Sequence, residues 1–147
     1  MGTEWLVGAW TLASSEVHFT GASVERPWGP GPVGLLIYDP SGAMSVQIMR
    51  PGRPARAPRP SVPDEVLGTI AENEAIGYLG YGGRYEVDEA AQTIAHHVEC
   101  SLLPEQVGTT VVRSYEQRGR QLVLRTPPVR VGDRERRAIL TFDRVSP

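Results

Sequence analysis

The chain has 147 residues, 40% of them hydrophobic, and a formal net charge of −2. That is enough for one domain with a real core, and too little charge of either sign to call for nucleic acid or an anionic membrane. All fifteen basic residues are arginine, which excludes Schiff-base and pyridoxal chemistry; Cys100 is the only cysteine, which excludes an internal disulfide.

Taken in chain order, Leu6 to Phe19 alternates as a strand, with Trp10, Leu12, Ser14, Glu16 and His18 on one face. Gly8 and Trp10 open it. A buried Trp fills one end of a small barrel, Gly lets the chain bend beside it, and Arg144 on the last strand can cover the indole face. Gly21 to Pro32 reads as a Gly/Pro-rich loop carrying Trp28. Val33 to Asp39 and Ala43 to Arg50 form a hairpin around Pro40-Ser41-Gly42. The proline-rich stretch from Pro51 to Pro63 is neither strand nor helix, and Arg50, Arg53, Arg56 and Arg59 recur through it at every third residue.

Pro63-Asp64-Glu65 then starts a helix, its carboxylates near the positive end of the dipole. The helix runs to about Tyr78, where Gly80, Gly82 and Gly83 break it. Five strands follow: Arg84 to Asp88, Gln92 to Leu103, Gly108 to Gln117, Gln121 to Thr126 and Arg136 to Val145. The expected fold is all-β: one domain over 1–147, an eight-stranded antiparallel up-and-down β-barrel with one helix between strands three and four. Eight such strands close around one small ligand.

Several of these segments resemble the bacterial and fungal lipocalin-like domain family. They are Gly8-Ala9-Trp10, Pro32 to Tyr38, Gly42 to Pro51, Gly83 to Asp88, His96 to Ser101, and Pro104 with Val107-Gly108-Thr109 and Arg113. The resemblance implies the calycin-type barrel strongly and an activity weakly.

Chemistry must lie with the polar strand residues. His97, Glu99 and Ser101 share one face of the fifth strand, and His96, Val98, Cys100 and Leu102 share the other. An apolar interior puts His96 inside; a mixed interior reverses the choice. Proton transfer is therefore assigned to His97 with Glu99, or to His96. Tyr38, Gln47, Met49, Tyr85, Arg113, Glu16 and Trp28 are the candidate ligand contacts. Gly8, Trp10 and Arg144 are structural. No spacing suits a metal, and no nucleotide or cofactor motif occurs.

Two functions stand open. One is a cofactor-free cyclase, isomerase or dehydratase acting on a hydrophobic natural-product intermediate such as a polyketide, and the balance of titratable groups favours it. The other is a non-catalytic carrier or sequestration protein for a small apolar molecule. Met1 to Val7 lacks the pattern of a signal peptide, and no stretch approaches the roughly 20 apolar residues of a membrane helix, so the expected location is the cytoplasm, without membrane contact. A homodimer is left open.

Overall fold

The computed structural model describes residues 2–21, 24–53, 73–74 and 76–145. Among them, strands β1 (Gly8–Phe19), β2 (Val24–Glu25), β3 (Val33–Tyr38), β4 (Ala43–Met49), β5 (Tyr78–Asp88), β6 (Thr93–Ser101), β7 (Thr110–Arg118), β8 (Gln121–Arg125), β9 (Val129–Val131) and β10 (Arg134–Arg144) form one antiparallel sheet. Eight of them close on themselves: β1 pairs with β3, each later strand pairs with the next, and β10 returns to β1. The short strands β2 and β9 extend β1 and β10. Closure leaves the eight barrel strands no open edge, so their backbone donors and acceptors are used around the ring.

One end of the barrel is plugged as the sequence suggested. Trp10 is buried, and its indole N–H donates to the Leu6 carbonyl at 3.0 Å. The Arg144 guanidinium lies 4.8 Å from the Trp10 ring centroid and donates to the carbonyls of Val7 at 2.7 Å and Trp5 at 3.2 Å. Gly8 has φ +128, and a Cβ there would stand 3.0 Å from an Arg144 nitrogen. Glycine therefore serves both the backbone angle and the close approach of the arginine.

Two bulges decide which side chains face inward. In β1 the register against β10 shifts between Leu12 and Ser14. The extra residue turns Ser15 and Val17 into the core and carries Glu16 and His18 off the face of Trp10. The simple alternation expected from the sequence therefore fails after Leu12. In β6 the register against β5 shifts so that Gly82 faces Cys100 while Gly83 faces Val98, which leaves Glu99 as the extra residue. A Cβ on Gly83 would lie 1.9 Å from the His97 carbonyl oxygen, closer than any side chain tolerates. Ile94, His96 and Val98 stay inward, whereas Cys100 and Leu102, expected on the same face, are exposed.

The helix expected from Pro63 falls mostly outside the described residues, as does most of the arginine-and-proline segment. Residues 73, 74 and 76 are helical, and Gly77, whose N–H donates to the Asn73 carbonyl, ends that turn. The expected break at Gly80, Gly82 and Gly83 is corrected: all three lie inside β5, which begins at Tyr78. Their small size serves close packing between strands rather than a chain break. A Cβ on Gly80 would meet the Gln47 side chain at 2.8 Å.

Candidate ligand cavity

Inside the barrel lies a cavity of about 430 Å³. Its wall is largely apolar, from inward residues such as Leu36 on β3, Val46 and Ile48 on β4, Leu124 on β8 and Phe142 on β10. Trp28, brought in by the loop before β3, is buried and adds an indole to the lining.

A polar centre is set into this wall. His96, on the inward face of β6, is almost wholly buried. The Tyr38 hydroxyl lies 2.7 Å from its Nε2 and the Tyr81 hydroxyl 2.7 Å from its Nδ1. Burial, with a smaller contribution from the positive Arg113 nearby, depresses the His96 pKa to about 3, so the ring is neutral at physiological pH. A neutral imidazole has one N–H and one lone pair, so one tyrosine donates to it and the other accepts from it.

Hydrogen-bond accounting selects the tautomer. Tyr38 has no exposed surface and no other hydrogen-bond partner than His96 among the described residues. Its proton must go to Nε2 or be orphaned. Nδ1 then carries the ring proton and donates it to the Tyr81 oxygen. The hydroxyl of Tyr81, a residue that lines the cavity, then keeps its own proton to donate to another acceptor. Burial raises both phenol pKa values, so both remain protonated.

Arg113 projects from the same inward face of β7 as Val111 and Tyr115 and lines the cavity. It pairs in register with Ile94, two residues from His96 on β6. Burial lowers the pKa of its guanidinium, while the residue as a whole keeps intermediate exposure. Its one hydrogen bond among the described residues runs from Nη1 to the Val112 carbonyl at 3.1 Å. A second guanidinium, Arg136 on β10, also lines the cavity, but it is paired with the Glu74 carboxylate. Burial raises the Glu74 pKa, and Arg136 pulls it back down.

The structure thus brings His96, Arg113 and Trp28 to the cavity and Tyr38 directly behind it. The remaining candidates lie elsewhere. His97 is half-exposed and bonds Glu86 at 2.6 Å and Thr110 at 3.0 Å; Glu99 is exposed on the β6 bulge. The apolar run Ile94, His96, Val98 claims the interior, so neighbouring His97 points away, and the proposed His97–Glu99 couple does not meet the cavity. Gln47 and Met49 line a shallow groove on the outer face of β4, where Gln47 accepts a bond from the Tyr78 hydroxyl. The Tyr85 ring packs against Tyr38 in a tilted arrangement with centroids 4.6 Å apart, and its hydroxyl donates to the Asp39 carbonyl at 2.9 Å. The β1 bulge turns Glu16 toward His18 at 3.1 Å and Arg26 at 2.8 Å.

Sequence reasoning missed Tyr81, Arg136 and Glu74. Tyr81 was hidden by reading its glycine-rich neighbourhood as a helix end. Arg136 sits in an arginine-rich run that looks like solvated surface. The usable signal was period two: Arg136, Ala138, Leu140 and Phe142 alternate onto one face, and all four line the cavity.

Known proteins share this sequence pattern. A curated relative, the 4'-hydroxy-3'-methoxypropiophenone carrier protein ppsC of Aspergillus oryzae, is 35% identical over 109 residues, covering 67% of this chain and 94% of that protein. The family model described as a lipocalin-like domain matches residues 7–145. With a closed eight-stranded barrel, an indole plug and a central cavity, the chain belongs to the lipocalin-like domain family.

Proposed function

We propose that this protein binds and carries a small, largely apolar molecule with an oxygen-bearing polar end, without transforming it. The observation that carries this reading is the state of the cavity's polar centre. His96 is clamped between two tyrosines and has a pKa of about 3, so it does not take up a proton at neutral pH. The only carboxylate lining the cavity among the described residues, that of Glu74, is committed to Arg136. Cyclisation, isomerisation or dehydration without a cofactor calls for a group poised to exchange protons near the working pH, and among the described residues neither His96 nor Glu74 is so poised. Binding needs only an enclosed apolar volume with a few placed donors. The similarity to a carrier of an aryl ketone supports the same reading. A flat apolar body with a carbonyl and a phenol suits a wall of Trp28, Leu124 and Phe142 around donor groups.

The test is to titrate the purified protein with 4'-hydroxy-3'-methoxypropiophenone. The readout is the tryptophan fluorescence to which Trp28 contributes. Chromatography then recovers the compound after prolonged incubation. Saturable quenching with quantitative recovery of the unchanged compound is the carrier result. Binding followed by multiple turnovers to an isomer or a dehydrated product would replace the carrier by the enzyme.

A further inference from the structure

We infer that the cavity selects the ionised form of its ligand, a conjugated oxyanion such as a phenolate or enolate, and that Arg113 is its counter-charge with the Tyr81 hydroxyl as second donor. This rests on the carrier reading and specifies its ligand. The two cavity guanidiniums differ in one respect. Arg136 has a carboxylate, that of Glu74, and Arg113 has none among the described residues. An enclosed guanidinium without a counter-charge costs several kcal/mol in a wall where an apolar side chain would fit. Other lining residues, among them Val111, Leu124 and Leu140, carry no such cost.

The groups around Arg113 offer no negative charge of their own. Tyr38 on β3 and Tyr81 on β5 are neutral phenols, and His96 on β6 is a neutral imidazole. Across the cavity, Arg136 and Glu74 neutralise each other. Of these ring and charged groups, what is left to offer a ligand is donors: the Arg113 N–H groups and the Tyr81 O–H left over by the His96 tautomer. Donors alone call for an acceptor, and the uncompensated positive charge calls for an anionic one. The oxygen must be conjugated with the ligand's body, because the surrounding wall is apolar and favours a charge spread over a flat frame.

The experiment uses 7-hydroxycoumarin and its methyl ether, 7-methoxycoumarin, which match in shape while only the first ionises. The phenol and phenolate of the first absorb at different wavelengths, so the ionised fraction is read directly. Wild-type protein is expected to bind the phenolate roughly tenfold or more tightly than the ether, and bound 7-hydroxycoumarin should ionise at lower pH than the free dye. Arg113→Met should abolish that preference, weakening phenolate binding far more than binding of the ether. Without ligand it should melt no lower than wild type, since it removes an unpaired charge. Tyr81→Phe should weaken phenolate binding by a smaller factor.

Equal affinity of wild type for both dyes, or phenolate binding unaffected by Arg113→Met, would overturn the inference and leave the carrier reading standing. If neither dye nor 4'-hydroxy-3'-methoxypropiophenone bound the wild-type protein, both would fall.

Discussion

His96 is where one side chain fixes the most. It supplies one donor and one acceptor to two buried phenols, so its replacements separate hydrogen bonding from size. His96→Phe leaves both hydroxyls without their partner, at roughly 1–3 kcal/mol each, whereas His96→Gln keeps a donor and an acceptor and should retain much of the stability. Urea titrations of the two variants test this. The same residue sets a pH dependence. Above its unfolded pKa of about 6.5 the ring is neutral in both states and contributes no slope. Between that pH and about 3 the unfolded chain takes up a proton that the folded protein refuses, so stability falls as pH falls. The expected slope is up to about 1.4 kcal/mol per pH unit, and it should be missing from His96→Gln. A wild-type profile parallel to that of the variant would dismiss the buried neutral imidazole.

Strands, more than single residues, govern what the cavity presents. Bulges in β1 and β6 turn side chains that a strict two-residue period assigns to one face onto the other. The β6 bulge depends on a missing side chain: Gly83→Ala puts a Cβ against the His97 carbonyl, a backbone atom that cannot step aside. We expect a loss of more than about 3 kcal/mol, or no folded protein, by chemical denaturation. Facing also predicts binding. Gln47→Ala and Met49→Ala, on the outer face of β4, should leave ligand affinity within about twofold, while Ile48→Ala, their inward neighbour, should weaken it clearly by fluorescence titration. The strand order, the hairpin around Gly42 and the inward His96 were legible in the sequence because period and turn chemistry are local signals. Glu16 and the reach of β5 back to Tyr78 were not. A bulge and a tight interstrand approach are set by the partner strand, which no local pattern displays.

At the scale of the whole molecule, the indole plug and the seam beside it join the two ends of the sheet. Removing the cover, as in Arg144→Met, forfeits a cation–π contact and two charge-assisted bonds to carbonyls, roughly 2–4 kcal/mol together, and should lower the melting temperature without altering the cavity. The seam itself pairs β1 with β10 from Trp10↔Arg144 to Phe19↔Arg136, strands that are the first and last of the barrel. All other barrel ladders but those of β1 with β3 and of β8 with β10 join strands consecutive along the chain, and several close over turns of a few residues. Joining β1 to β10 demands the largest loop closure in the molecule, and its entropy is lost before its bonds are gained. The order of assembly is thereby fixed by topology: hairpins first, circle last. Leu140→Ala, on the seam, should speed unfolding and barely touch the folding rate, whereas Val46→Ala, in the β3–β4 hairpin, should slow folding, a contrast that stopped-flow chevrons would read directly.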